Sequence, residues 1–165
     1  MAHPTPDPVG PGEESVWHYP RPPRLEPVNV LVEVVLGGVT IASTNSAWRV
    51  LETSHPPNYY LPRADFIPGS IVAVAGSSLC EWKGRASYWT LVGGGREAIA
   101  AGWSYEEPTR GFGPISGHLA VYPGLVDACF VDGEPVVPQP GGFYGGWITS
   151  TIRGPFKGGP GSFGW

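Results

Sequence analysis

Glycine and proline interrupt this chain so often that few segments could sustain a helix of three turns. The 165 residues include 25 Gly and 20 Pro, and no stretch between them has a convincing amphipathic helical period. A share this high often marks disorder. Here it comes with 7 Trp, 7 Tyr and 6 Phe, residue types that disordered segments lack. Turn-rich text carrying many large aromatics predicts a compact all-β protein. The length suits one domain with a real core.

Charge excludes some partners. Charged residues are 15% of the chain and the net charge is -4, so a duplex nucleic acid, which needs clustered Lys and Arg, is not an expected partner. No apolar run approaches membrane-spanning length, and the opening MAHPTPDPVGPGEES has neither a basic n-region nor an apolar h-region. A cytoplasmic chain with no membrane partner is expected. Cys80 and Cys129 are far apart and form no CxxC pair, which predicts two free thiols and no structural zinc. No Walker loop, nucleophile elbow or HExxH occurs, so no metal or cofactor is expected.

Three regions follow from composition. Residues 1–15 read as a flexible Pro-rich leader, 16–140 as one β-rich domain, and 141–165 as a Gly/aromatic segment docked on it. Docking is expected because Phe143, Tyr144, Trp147, Ile148, Ile152, Phe156 and Trp165 are costly to leave in water. VWHYPRPPRLEP reads as an extended strap anchored by Trp17 and Tyr19.

VNVLVEVVLGGVTIAS is the clearest hairpin, with Gly37-Gly38 at its turn. ASYWTLVGGGREAIAAGWSY predicts a second hairpin, turning at Gly93 to Gly95. HLAVYPGLVDACFVDGEPV predicts a third pair, turning at Pro123-Gly124 and again at Asp132-Gly133. SAWRVLETSH has a mixed period that fits a short helix or a strand, and a strand at a sheet edge is favoured because Pro56 and Pro57 follow at once. CEWKGRASYW reads as a loop entering a central strand.

The blocks HYPRPPRLEP, WRVLETSHPPNYYLPR, CEWKGRASYW, GWSYEEP, GHLAVYPGLVDACFVDGEPV and GGFYGGWITSTIRGPFKGGPG together resemble a bacterial family catalogued as domain of unknown function 427. The resemblance runs from about Trp17 to the C-terminus. It implies two antiparallel sheets meeting at an angle, a β-tent like that of methionine sulfoxide reductase B and the cereblon ligand-binding domain. Many β-tent relatives carry a four-cysteine zinc site, whose cysteine pairs this chain lacks. The family is also labelled nucleotidyltransferase-like, but Gly76-Ser77 is followed by no DxD or DxE pair to hold metal ions on a triphosphate.

Within these blocks stands a polar set of Glu52, Tyr59, Tyr60, Arg63, Cys80, Lys83, Tyr88, Trp103 and His118. A domain this small rarely buries charge without partners. One reading is structural, with Glu52 paired to Arg63 or Lys83. The other is a pocket for a small anionic molecule, bound by Glu52, Tyr60, Arg63, Lys83, Tyr88 and Trp103. In it Arg63 and Lys83 converge, with Glu52 as their counter-ion. Trp82, Trp89 and Trp103 could form an aromatic cage, although period-2 alternation puts Trp89 on the face opposite Tyr88. The alternative is an enzyme using Cys80 or His118, which requires a neighbour that lowers the thiol pKa. A third reading is a structural or partner-binding module using the Gly/aromatic segment. Neither His18 nor His55 has a neighbouring acid at a catalytic spacing, so neither is a candidate.

Overall fold

The computed structural model describes residues 3–80 and 82–165. Strand β1 is Glu14–Ser15, β2 Arg24–Val28, β3 Val32–Leu36, β4 Val39–Thr44, β5 Ala47–Leu51 and β6 Asn58–Pro62. The longest strands are β7, Ile71–Cys80, β8, Gly84–Gly93, and β9, Arg96–Ser104. Then come β10, His118–Val121, β11, Ala128–Val131, and four two-residue strands: β12 Glu134–Pro135, β13 Val137–Pro138, β14 Trp147–Ile148 and β15 Ile152–Arg153. The only helices among the described residues are four short 3-10 turns. None is long and apolar enough to cross a membrane.

The protein is all-β. A seven-stranded antiparallel sheet has the order β2-β5-β6-β10-β9-β8-β7, and a four-stranded antiparallel sheet the order β12-β11-β3-β4. Two-stranded pairs β1-β15 and β13-β14 complete it. Strand β3 shows why these segments become strands: Val32, Val34 and Leu36 are buried while Glu33 and Val35 alternate outward. Both main sheets feed one core, in which Val34, Leu36 and Ile41 meet Tyr59, Leu61, Leu91 and Leu119.

The two Gly-turned hairpins form where their turns predict, β3-β4 at Gly37-Gly38 and β8-β9 at Gly94-Gly95. The third pair does not form as one unit. Strand β10 joins β6 and β9 in the larger sheet, whereas β11 joins β3 and β12 in the smaller. The Pro123-Gly124 segment therefore crosses between sheets, and only the Asp132-Gly133 turn closes a hairpin. SAWRVLETSH lies inside the sheet, since β5 pairs with β2 on one side and β6 on the other. The edges belong to β2 and β7, and CEWKGRASYW runs from the last residue of β7 through a turn into β8, an interior strand paired with β7 and β9.

The front and the end of the chain pack together. Glu14–Ser15 runs parallel to Ile152–Arg153, the Asp7 amide donates to the Gly154 carbonyl at 2.9 Å, and Arg153 pairs with Glu13. Val16, Tyr19, Leu51 and Ile152 form a small core beneath them. Arg49 bonds both Glu14 (2.7 Å) and Glu26 (2.6 Å), tying this segment to the sheet.

The two hairpin turns also touch. A Cβ on Gly94 would lie 1.9 Å from the Gly37 carbonyl oxygen, and one on Gly37 would lie 2.0 Å from the Gly93 oxygen. The two main sheets are thus joined by backbone contact that excludes any side chain. Gly94 and Gly95 both have positive φ, +54° and +77°, but a Cβ on Gly95 meets nothing within 4 Å. Gly95→Ala should therefore cost only the left-handed backbone penalty, about 1–2 kcal/mol. Gly94→Ala should cost at least about 2 kcal/mol more, because backbone must move. Urea unfolding of the two variants measures the difference, and equal losses would refute the close contact.

Candidate functional site

Residues directly opposite each other in adjacent strands share a face. Tyr88 of β8 opposes Trp103 of β9, Trp103 opposes Ala120 of β10, Ala120 opposes Tyr60 of β6, and Tyr60 opposes Trp48 of β5. This row crosses five strands. Ala120 is its only small member, and the space above it lets Trp103 Nε1 donate to the Tyr60 hydroxyl at 3.1 Å. Tyr105, two residues beyond Trp103, stays on the same face and approaches both the Tyr60 hydroxyl and the Cys80 thiol. Burial pushes the Tyr60 and Tyr105 phenols well above the usual tyrosine range. Both are neutral hydroxyls at any physiological pH.

Tyr60, Trp103 and Tyr88 of this row floor a cavity of about 510 Å3. Glu52 and His55, from the β5-β6 connection, line it with Cys80 and Lys83 at the β7-β8 turn. Gly142 to Gly145 and Lys157 form the wall supplied by the C-terminal segment. Trp147 anchors that wall. It is fully buried, stacks on Tyr59 at 4.9 Å and donates from Nε1 to the Val121 carbonyl at 3.0 Å. Phe156 is half-buried, whereas Phe143 and Phe163 are exposed. The wall fits only because residue 145 is glycine: a Cβ there would sit 2.3 Å from the Trp103 ring.

Lys83 is held by its turn. Its carbonyl accepts from the Thr109 amide at 3.0 Å, and Thr109 Oγ1 also bonds the Trp82 carbonyl. The side chain is only 8% exposed, with Nζ 5.7 Å from the centre of the Tyr105 ring. Lys157 Nζ lies 5.7 Å from the Tyr144 ring centre and donates to the Trp165 main-chain oxygen at 3.1 Å. Among the described residues, no Asp or Glu side chain pairs with either lysine.

Of the residues the sequence singles out, Glu52, Tyr60, Cys80, Lys83, Tyr88 and Trp103 meet at this cavity. Arg63 and His118 do not line it. Arg63 follows Pro62, where β6 ends in a 3-10 turn that breaks the strand alternation. Its guanidinium pairs with Glu106 through two bonds, 2.6 and 2.9 Å, and lies 5.1 Å from the Trp89 ring centre. Trp89 is on the face opposite Tyr88, donating to Ser104 and packed on the main core. Arg63 therefore serves a network on the opposite face, and its expected convergence with Lys83 is incorrect. The partner of Glu52 is neither Arg63 nor Lys83 but Arg21, at 3.2 Å. His118 lies at the start of β10 with Nδ1 3.0 Å from the Ser116 carbonyl, so it is not beside Cys80 in the cavity lining. Tyr59 points into the main core under Trp147. Cys129 is buried there too, its thiol pushed up by desolvation.

Sequence reasoning missed His55, Tyr105, Tyr122, Tyr144 and Lys157. His55 does have an acid neighbour, since Glu52 Oε2 lies 3.7 Å from its Nε2. Burial first, then the charges of Lys157, Arg21 and Lys83, push its pKa down to about 3. Among the described residues no group of three or more His, Cys, Asp and Glu side chains is placed to hold a metal ion.

The lowered His55 pKa has a consequence for stability. A histidine neutral in the fold and protonated when unfolded contributes stability that is complete above about pH 6.5 and lost as pH falls toward 3. The depressed carboxyls of Glu13 and Glu14 act on the same side but only near and below pH 4.5. Between pH 6.5 and 4.5 the wild type should lose up to about 1.4 kcal/mol per pH unit relative to His55→Gln. Urea unfolding across that window measures it, and parallel curves for the two proteins would contradict a buried neutral His55.

Residues 24–132 match the family model described as Domain of unknown function (DUF427). A search of curated proteins returns no match. The matched span covers about two thirds of the chain and holds the aromatic row together with Glu52, His55, Cys80 and Lys83, so the chain belongs to the DUF427 family.

Proposed function

We propose that this protein binds a small oxyanion-bearing molecule, a carboxylate or a phosphate, in the cavity above the aromatic row. One observation carries the reading. The chain has two lysines in all, Lys83 and Lys157, and both line this cavity. The eight arginines are elsewhere. Two cations share this lining with Glu52, whose charge is already matched by Arg21, so the described lining residues carry surplus positive charge on a protein whose net charge is -4. A buried ammonium over an aromatic ring, with no carboxylate partner among the described residues, favours an incoming anion. The volume is that of ordinary small-molecule sites, about 300–1,000 Å3. Tyr60, Tyr88, Trp103 and Tyr122 offer an aromatic floor for an apolar or planar body.

A catalytic reading would rest on Cys80, which lines the same cavity beside Tyr105. The cavity's imidazole is His55, however, and its Nδ1 is already engaged by Gln139 at 3.1 Å. Binding is therefore the simpler reading.

A thermal-shift screen of carboxylates and phosphates tests the proposal. A ligand present at about 100 times its Kd should add about 2.7 kcal/mol, or roughly 5–11 °C for a chain of this size. Lys83→Met should weaken that ligand by about 1.5–3 kcal/mol. A screen in which no oxyanion stabilises the protein, or a Lys83→Met variant that binds with unchanged affinity, would refute the reading.

A further inference from the structure

Behind the cavity lining, the lining residue His55 meets Gln139 in a buried polar pair that the cavity's charge does not explain. Gln139 is 3% exposed and His55 8%. Gln139 comes from the loop after β13 and His55 from the β5-β6 connection, 84 residues away. The Gln139 amide has three partners. Its Oε1 accepts from the Gly146 amide at 3.1 Å, its Nε2 donates to the Lys157 carbonyl at 2.7 Å, and Nε2 also lies 3.1 Å from His55 Nδ1.

These contacts allow one amide orientation. Turning the amide over would set its NH2 against the Gly146 N–H and its oxygen against the Lys157 carbonyl, two like-with-like contacts. With Nε2 of Gln139 fixed as donor, His55 Nδ1 has to accept, so the imidazole proton sits on Nε2. His55 belongs to the cavity lining, and among the described residues the acid atom nearest to its Nε2 is Glu52 Oε2, 3.7 Å away. This is beyond a proper hydrogen bond, and Glu52 is turned toward Arg21 at 3.2 Å. The ring is braced edge-on by Tyr144 at 4.7 Å. The charged groups that face it are Glu52, Arg21, Lys83 and Lys157. Three of the four are cations that oppose an imidazolium.

Resting on the binding reading above, we infer that His55 is a neutral hydrogen-bond donor of the cavity, its Nε2–H directed to an acceptor oxygen of the bound oxyanion, and that Gln139 is the positioning residue that fixes this tautomer. The arrangement selects ligand chemistry. An oxygen without a proton is accepted at that point, and an ammonium or amide N–H is rejected, since it would meet a donor and two lysines. It also excludes His55 as a general base: Nε2 already carries a proton, and Nδ1 cannot take one without breaking the Gln139 contact.

Long-range 1H–15N correlation spectra of the 15N-labelled protein read the tautomer directly. The expected pattern is protonated Nε2 and bare Nδ1 for His55, unchanged from pH 8 to pH 5. A predominant Nδ1–H form, or an imidazolium by pH 5, would overturn the inference. In Gln139→Met, which cannot donate, both tautomers should become populated. If that variant fails to fold, the wild-type spectra still decide. Titration with benzoate and with phenyl phosphate then separates the two proposals, the lysine side-chain carbons reporting occupancy. The expected result is a downfield shift of the His55 Nε2 proton that saturates together with the lysine signals. A probe that moves the lysines but leaves His55 unchanged would overturn the donor role and leave oxyanion binding standing. If neither probe moves the lysine signals, the binding reading fails and the donor role with it.

Discussion

Two-residue alternation in the seven-stranded sheet sorts its aromatic side chains into two sets, and everything else in the protein is arranged around that division. Adjacent residues of β6 show it at its sharpest. Tyr59 enters the main core under Trp147, while Tyr60 enters the aromatic row and accepts from Trp103. The same division on β8 sends Tyr88 to the row and Trp89 to the far face, where Ser104, Glu106 and Arg63 gather. Covering one face with the smaller sheet leaves the other to be completed by segments without regular structure. Those segments carry the cavity's second wall with Lys157, and Arg21, the partner of the lining residue Glu52.

The wall and the floor are held by different means. The floor is a hydrogen-bonded ladder, fixed by register. The wall depends on a single large anchor, Trp147, and on the absence of a side chain at Gly145 and Gly146, where a Cβ would strike Trp103 or the Gln139 oxygen. Because a fully buried tryptophan contributes several kcal/mol, a chain of loops can be kept in one place by it. Residues 142–145 and 157 lie beyond the family-matched span, 24–132. The matched region thus supplies the aromatic floor and one lysine, and the following segment supplies the other lysine and the residue that orients His55.

Local chemistry made much of this legible. Gly-Gly turns between β-branched runs identify β3-β4 and β8-β9 because the turn and both strands lie within some 20 residues. The sheet to which a strand belongs is a non-local property, so nothing in HLAVYPGLVDACFV reveals that β10 and β11 part company. Strand β7 was hidden by a bulge at Gly76 and by an edge position that leaves most of its side chains exposed, without alternation. Arg63 was misassigned because a 3-10 turn after Pro62 rotates it out of the strand pattern. The Glu52–Arg21 and His55–Gln139 contacts join residues 31 and 84 positions apart, and no spacing rule reaches so far. One signal does lie in the composition: of the ten Lys and Arg residues only two are lysines, and those two share one cavity.

That pair gives the most direct test of the account. Amine labelling of the native protein, followed by peptide mass spectrometry, reads Lys83 and Lys157 separately, with no other lysine to confuse the result. The account predicts that the oxyanion giving the largest thermal stabilisation slows labelling of both lysines together, at the same ligand concentration. Protection of one lysine without the other, or of neither, would contradict a single anion site between them.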